Sequence, residues 1–379
     1  MHRQFDERKS RSKVHRVAPA LDGGPGVAGV GSIGSKVVLA SRESAPAVLV
    51  NSDLDRYLRG QYVEQPERFM ADHNPEQPRI GFVGLGNMGG PMCKRLCDAG
   101  YEVQAFDINP EALAASVEQG AVAASSVNEA AAWCDLLLTS LPRPDHVIAV
   151  MDGADGALAA MTPGSVWVDL TTNRRELVDE LASRAPEGVS VVDSPVTGAV
   201  DGARNGKLTL FLGGPADSVS RAKPVLDHLG LVIECGPLGT GNVTKLVTNQ
   251  LWFVHAATLA EGFALGMANG VDLDTLWYAI KESVGDSFVA RHDAPSIFAG
   301  HYDPSFSLDL CLKDLGLVEE LSANVGASLD MTMKAKEMFE QAAERYGHDV
   351  GELHVAKRIE DDADLPMRLE GDWVPHWEK

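Results

Sequence analysis

Three glycines with the spacing Gly-x-Gly-x-x-Gly constrain the fold of this chain more than any other sequence feature. They follow a strand-like apolar run at residues 79–83 and precede a helix-like segment. Glycines in this order permit a tight turn, a close approach to a pyrophosphate, and close packing of helix on strand, while the N–H groups that open the helix face the negative charge. The pattern predicts a dinucleotide-binding βαβ unit. The predicted cofactor loop contains Gly84, Leu85, Gly86, Asn87, Met88 and Gly89.

The same spacing occurs a second time, at Gly29, Gly31 and Gly34. There the preceding residues 22–26, Asp-Gly-Gly-Pro-Gly, cannot form a strand. We interpret this second copy as coincidence, because the structural context of the glycines carries the prediction and their spacing alone does not.

The composition is that of an ordinary soluble protein with room for two domains, since the chain has 379 residues and is 45% hydrophobic. The formal net charge of -21 argues against nucleic acid or an anionic membrane as partner. The longest apolar stretch, residues 246–267, contains His255 and Glu261, so it predicts a buried helix and no membrane span. The five cysteines and eleven histidines lack disulfide-framework or metal-ligand spacing, and no metal is expected.

Residues 1–78 are predicted to be an N-terminal extension without a packed core, because they are basic, then rich in Gly, Pro, Ala and Ser, then polar. No unbroken apolar segment of a secretory signal follows the basic residues, and Asp6 and Glu7 disfavour a transit peptide. A cytoplasmic location is therefore expected. We also hypothesise that translation begins at Met70, so that residues 1–69 are not made. Peptides from upstream of Met70 in the native protein would contradict this.

From residue 80 onwards, short apolar runs alternate with amphipathic segments. This alternation predicts a Rossmann-type, doubly wound, mostly parallel sheet over residues 79–240, followed by an all-α C-terminal domain over 241–358 and an acidic tail over 359–379. The tail contains Trp373 and Trp377, so it can either dock on a neighbouring surface or be exposed to solvent. The predicted strands are 101–106, 136–140, 166–170, 189–193 and 208–212, and the predicted helices of the second domain are 242–269, 272–284, 310–324 and 331–345.

A carboxylate follows the second predicted strand, 18 residues beyond the third glycine. At this position Asp107 is expected to accept hydrogen bonds from the adenosine ribose and to repel a 2′-phosphate. Because no arginine follows in residues 108–110, NAD is favoured over NADP. The alternative is that Asp107 is only a turn residue at the end of a strand and does not bind the ribose.

Six motifs in one order resemble the β-hydroxyacid dehydrogenases, the family that includes 3-hydroxyisobutyrate dehydrogenase and tartronate semialdehyde (2-hydroxy-3-oxopropionate) reductase. The resemblance covers residues 79–355 and implies that Leu141, Pro142, Thr172 and Lys313 border the nicotinamide half of the cofactor. From the residues alone, Leu141-Pro142 is a strand exit and Lys313 a solvated helix lysine. The motifs are Gly84–Gly89, Leu141-Pro142, Asp169-Leu170-Thr171-Thr172, Asp193-Ser194-Pro195-Val196-Thr197-Gly198, Gly239-Thr240-Gly241 with Lys245 and Asn249, and Lys313-Asp314.

Two polar residues, Lys245 and Asn249, lie one helical turn apart and so project from one face of a predicted helix. A lysine in this setting can take a proton from an alcohol or give one to a carbonyl oxygen. The resemblance assigns this catalytic role to Lys245 and substrate orientation to Asn249. Without the resemblance, a helix lysine is most often solvated.

The loop at Thr197, Gly198 and Ala199 offers a hydroxyl and closely spaced N–H groups, which suit a carboxylate. The family usually has Ser in place of Thr197 and a second glycine in place of Ala199, so the space beside the carboxylate site shrinks and the identity of the substrate is open. A loop that only connects two elements is the alternative.

The expected function is therefore NAD-dependent interconversion of a small 3-hydroxy acid and its semialdehyde, similar to that of 3-hydroxyisobutyrate dehydrogenase. Reduction of a related semialdehyde is the first alternative, and a non-catalytic dinucleotide-binding module is one from another class. Imine reductases share the two-domain plan but generally carry other residues in place of the catalytic lysine. The resemblance also implies a homodimer or homotetramer.

Overall fold

The structure, a computed structural model, describes residues 77–371 and Trp373. The N-terminal segment up to residue 76, with Met70 and the second glycine motif, lies outside the described residues, as does Trp377. A nine-stranded sheet is followed by a bundle of helices, which confirms the predicted fold class.

The strands are β1 (Ile80–Val83), β2 (Val103–Phe106), β3 (Val122–Ala123), β4 (Leu136–Thr139), β5 (Val166–Asp169), β6 (Ser190–Asp193), β7 (Val196–Thr197), β8 (Leu208–Gly213) and β9 (Gly230–Gly236). The helices among them are α1 (Gly89–Asp98), α2 (Pro110–Glu118), α3 (Val127–Trp133), α4 (Pro144–Met151), α5 (Ala157–Ala160), α6 (Arg175–Ser183), α7 (Ala199–Asn205) and α8 (Ala216–Leu226). The second half contains α9 (Thr240–Ala268), α10 (Leu273–Lys281), a π-helix (Val289–Asp293), α11 (Ala294–Ala299), α12 (Leu308–Val325), α13 (Asp330–Tyr346) and α14 (His354–Ala363).

The strand order is β3-β2-β1-β4-β5-β6-β8-β7, with β9 beside β8. The first six strands are parallel and follow the Rossmann order, whereas β8 runs antiparallel to β6 and β7. Helices cover both faces, so β1, β4 and β5 are buried at every residue and read as unbroken apolar runs in the sequence. The carboxyl ends of β1, β4, β5 and β6 consequently meet at one edge of the sheet.

The helical half is organised around α9, a helix of 29 residues. By length and composition this helix could cross a membrane. One of its faces nevertheless packs against α12 and α14 and places Phe253 and Phe263 in the core of the bundle. The predicted helix at residues 242–269 is thus the central helix of a folded domain.

Among the described residues beyond α13, those up to 371 and Trp373 include several that pack against the helical bundle. The boundary predicted at residue 359 falls inside α14. Further on, Arg368 donates to Glu360 Oε1 at 2.6 Å, and the Trp373 ring lies 6.0 Å from those of Trp277 and Phe298. Of the two possibilities left open for the tail, docking is the one observed for Trp373.

The cysteine thiols are free, and Cys93, Cys134 and Cys311 are buried. Within residues 77–371 and 373, no group of three or more His, Cys, Asp or Glu side chains is placed to hold a metal ion.

Candidate active site

The glycine loop leaves β1 and enters α1 with a shape that only glycine permits at two positions. Gly84 has φ +91°, and a Cβ there would lie 2.3 Å from the carbonyl oxygen of Ser140. A Cβ on Gly89 would lie 1.8 Å from the carbonyl oxygen of Gly84. At Gly86, by contrast, a Cβ would meet nothing within 4 Å. The middle glycine therefore faces open space, where a ligand can approach the backbone.

The start of α1 suits an anion. Its N-cap residue, Met88, makes no side-chain capping bond, and the first turn contains no acidic residue. The N–H groups of a first helical turn have no partner within the helix and carry partial positive charge. These observations fit the pyrophosphate of a dinucleotide at this turn.

Asp107, at the end of β2, is fixed by the backbone around it. Its Oδ2 accepts from the Leu85 N–H at 2.6 Å, and its Oδ1 accepts from the Asn109 N–H at 2.7 Å. The glycine loop and the carboxylate predicted to bind ribose are therefore joined directly. Each oxygen retains a lone pair for a further donor.

The loops after β4 and β5 form a second wall. Leu141 donates its N–H to Thr171 Oγ1 at 3.0 Å, next to the half-buried Thr172. The carbonyl oxygen of Pro142 accepts from Lys313 Nζ at 3.4 Å, which connects this wall to α12. The structure thus brings Leu141, Pro142 and Lys313 into one wall, and Thr172 adjoins this wall as the chain neighbour of Thr171.

Lys245 and Asn249 project from α9 into the protein interior, and both are buried. Asn249 Nδ2 donates to Asp314 Oδ2 at 2.7 Å, and Lys313 Nζ lies 2.8 Å from Asp314 Oδ1. One carboxylate therefore links the catalytic helix to the lysine on α12. In the part of the chain that the structure describes, the Lys245 side-chain nitrogen makes no hydrogen bond or ion pair, so it is available to a ligand.

Burial lowers the pKa of Lys245 to about 8, because removal from water disfavours the ammonium. The carboxylate of Asp314 opposes this by raising the pKa, and the charge of Lys313 lowers it further. At neutral pH the side chain can therefore act as a proton acceptor or as a proton donor.

The predicted carboxylate loop lies at β7. Thr197 pairs with Thr209 of β8, and the start of α9 packs against β8 as well. Gly198 has φ +122° and Ala199 has φ +56°. Ala199 therefore occupies a left-handed conformation that costs a non-glycine residue about 1–2 kcal/mol. Where the family usually has glycine, this chain thus has a strained alanine beside the candidate substrate site.

Asp314 belongs to one of the motifs but has no role predicted from the sequence, and Asn173 and Asn242 are further residues of the site without a predicted role. All three are buried polar residues with hydrogen bonds to other elements. The only sequence signal for Asp314 is its position next to Lys313. Nothing local marks the two asparagines, since their partners are distant in the chain.

Comparison with known proteins agrees with this geometry. Residues 79–237 match the family model of the NAD-binding domain of 6-phosphogluconate dehydrogenase. Residues 239–359 match the model described as the NAD-binding domain of NADP-dependent 3-hydroxyisobutyrate dehydrogenase.

For several curated relatives, nearly the whole sequence aligns with this chain. The 3-hydroxyisobutyrate dehydrogenase of Pseudomonas aeruginosa is 34% identical, over 74% of this chain and 99% of the relative. The L-threonate dehydrogenase of Cupriavidus necator is also 34% identical, over 77% and 99%. Among solved structures, Mycobacterium tuberculosis 3-hydroxyisobutyrate dehydrogenase with L-serine superposes with a TM-score of 0.69 at 29% identity, covering 75% of this chain and 99% of that one.

The chain belongs to the β-hydroxyacid dehydrogenase family. It is a dehydrogenase that acts on CH–OH donors and carries an NAD-binding domain. The relatives at about the same identity differ in the substrate for which they are named.

Proposed function

We propose that this enzyme interconverts a small 3-hydroxy acid and its semialdehyde with NAD, as 3-hydroxyisobutyrate dehydrogenase does. The observation that carries the proposal is the buried Lys245 on the same helix face as Asn249. Asn249 is hydrogen-bonded to Asp314, which pairs with Lys313 at the cofactor wall. A non-catalytic binding protein has no need of a buried lysine with a pKa near 8.

In this proposal the neutral amine of Lys245 takes the proton of the substrate hydroxyl, and Asn249 orients the same oxygen. Thr197 Oγ1 and the N–H groups of Gly198 and Ala199 hold the carboxylate. When bound, NAD supplies the acceptor for the hydride that leaves the carbinol carbon. In the reverse direction the ammonium of Lys245 protonates the carbonyl oxygen.

Asp107 supports NAD over NADP. Both of its oxygens are anchored by backbone N–H groups, which fixes a negative charge beside the glycine loop. Such a charge accepts hydrogen bonds from ribose hydroxyls and repels a 2′-phosphate.

Ala199 supports a small substrate. Its methyl group adds bulk to a loop whose family usually has glycine there, and its strained backbone fixes that bulk in place. A compact 3-hydroxy acid of the size of 3-hydroxyisobutyrate or serine therefore fits the proposal better than a longer one. The alternative proposal is that the enzyme reduces tartronate semialdehyde and so works on another substrate in the opposite direction.

The test is a set of NADH absorbance assays with 3-hydroxyisobutyrate, L-serine, L-threonate and tartronate semialdehyde, with a Lys245→Met variant as control. We expect saturable turnover of at least one of the small substrates. The Lys245→Met variant, which keeps the length of the side chain, should lose roughly 1,000-fold or more in kcat while binding NADH normally. Wild-type-like turnover by this variant would refute the assignment.

We also propose that the enzyme is a homodimer or homotetramer. Val247, Leu251 and Leu265 lie on one face of α9 and are 45%, 50% and 69% exposed. An apolar stripe of this kind is typical of an association surface. Light scattering coupled to gel filtration would show a monomer if the proposal is wrong.

A further inference from the structure

Four fully buried polar residues form one hydrogen-bonded chain from the cofactor-side strand ends to the catalytic helix: Asp169, Asn173, Asp193 and Asn242, each 0% exposed. They belong to four places in the sequence, and Lys245 follows Asn242 by one helical turn.

Asp193, at the end of β6, holds the start of α9. Its Oδ1 accepts from the Gly239 N–H at 2.7 Å, and its Oδ2 accepts from the Asn242 N–H at 2.6 Å. The Asn242 side chain adds a further bond to Oδ2 at 3.2 Å. These N–H groups belong to the residues that open the helix, where backbone donors otherwise lack partners. Asp193 therefore caps α9 from another element.

Asn242 extends the chain towards β5. Its Oδ1 accepts from the Asn173 N–H at 2.7 Å, and Asn173 Nδ2 donates to Asp169 Oδ2 at 3.0 Å. Asp169 Oδ1 in turn accepts from the Thr171 N–H at 3.1 Å. Because Thr171 also receives the Leu141 N–H, the path ends at the loops of the predicted nicotinamide site.

The approach of α9 to the sheet is as close as the backbone allows. A Cβ on Gly241 would lie 2.1 Å from the carbonyl oxygen of Phe211 and 2.8 Å from Asp193 Oδ2. The first turn of α9 therefore has little room to shift along the strand ends while these bonds are intact.

We propose that Asp193 and Asn242 are positioning residues that hold Lys245 in register with the cofactor-side loops. The inference rests on the proposed role of Lys245 and adds the means by which its location is fixed. A buried network in which every member is paired specifies one geometry, and a missing member leaves an unpaired group in a low-dielectric interior.

The test compares Asn242→Ala with a matched control on the same helix, Gln250→Ala. Gln250 also makes one side-chain bond to another element, to Thr332 Oγ1 at 2.8 Å, but that bond leads away from the strand ends. We expect Asn242→Ala to lose roughly 10- to 100-fold in kcat, with less than about a threefold change in NADH affinity. The control should keep kcat within about threefold.

The pH dependence of kcat distinguishes a positioning role from a merely structural one, because loss of stability alone would leave that dependence unchanged. The charged groups that act on Lys245 are Asp314 and Lys313 on α12, whereas the Asn242 side chain is hydrogen-bonded to Asn173 and Asp193. If Asn242→Ala lets Lys245 move towards water, the desolvation that lowers its pKa weakens. The acid limb of kcat for alcohol oxidation should then move to higher pH, while the limb of Gln250→Ala stays in place.

If Asn242→Ala does not fold, Asp193→Asn is measured by the same criteria, because it keeps the size of the side chain but presents an amide to an N–H donor. A variant with the kcat and pH profile of the control would overturn the proposal. So would a fall in kcat with an unmoved pH profile, which indicates general destabilisation. If Lys245→Met is itself active, the proposed function fails first; if it is inactive while Asn242→Ala behaves as the control does, the positioning role alone fails.

Discussion

The cofactor loop and the cluster around Lys245 are built in different ways. The loop depends on backbone shape over six consecutive residues, with Gly84 in a left-handed conformation and Gly89 in contact with the Gly84 carbonyl. The cluster depends on side chains from α9 and α12, which meet only in the folded protein. We therefore expect cofactor binding at the first region to be sensitive to an added side-chain atom. We expect catalysis at the second region to be sensitive to the loss of a single hydrogen bond.

The largest effect that separates the two regions is expected from Gly86→Ala. The added Cβ meets nothing within 4 Å in the protein, so the melting temperature should not fall. The methyl group occupies the space in which the cofactor approaches the backbone, and NADH affinity should fall roughly 100-fold. Fluorescence titration with NADH measures this. Gly262→Ala, on α9 and equally free of close neighbours, is the control. Equal NADH affinity in both variants would remove the basis for the contrast.

A smaller effect is expected from Asp314→Asn. This change weakens the hydrogen bond from Asn249 and the ion pair with Lys313, and kcat should fall roughly tenfold. Asp314 raises the pKa of Lys245, so its removal lowers that pKa further. The neutral amine then exists at lower pH, and the acid limb of the rate profile for alcohol oxidation should move to lower pH. A shift in the opposite direction would contradict the electrostatic role of Asp314.

Asp107→Ala should change the preference for the cofactor. Loss of the anchored carboxylate removes hydrogen bonds to the ribose and the repulsion of a 2′-phosphate. We expect the ratio of kcat/KM for NAD to that for NADP to fall about tenfold, while the pH dependence assigned to Lys245 stays unchanged. Steady-state kinetics with both cofactors decides this. An unaltered ratio means that Asp107 is only a turn residue.

The smallest effect is expected from Ala199→Gly. Relief of the left-handed strain is worth about 1–2 kcal/mol, but glycine costs about 0.5–1 kcal/mol in the unfolded chain, so stability should change little. The extra space should raise kcat/KM for a substrate one methylene larger by roughly 10-fold or less. Stability is followed by thermal unfolding and specificity by a homologous pair of hydroxy acids. A loss of activity towards both acids would show that the alanine methyl group is a required contact.

The two regions also differ in how well the sequence predicts them. The strand at Ile80–Val83, the glycine loop and the start of α1 are contiguous, and their local propensities agree with the fold. The predicted strands at residues 136–140 and 166–170 each end within one residue of the observed ones, because strands covered by helices on both faces are unbroken apolar runs.

The parts that were missed depend on distant neighbours. The prediction omitted β9 although Leu231, Val232 and Ile233 form a short apolar run, and in the structure Leu231 and Ile233 are exposed. The π-helix at Val289–Asp293 has no simple periodicity to recognise. Asn173 and Asn242 are 69 positions apart, so no local pattern relates them. The resemblance to a family supplied Lys245, which helical spacing alone would have left as a surface lysine.

The buried chain from Asp169 to Asn242 has a consequence for recombination between relatives. Although the Rossmann domain and the helical domain look like separable modules, the two halves share four desolvated hydrogen-bonding groups at their junction. A chimaera that joins this Rossmann domain to the helical domain of a relative must therefore inherit Asp193 and Asn242 as a matched pair. Crossovers between them that break the pairing should yield enzymes that bind cofactor but turn over slowly, so these residues are expected to pass between proteins as one unit.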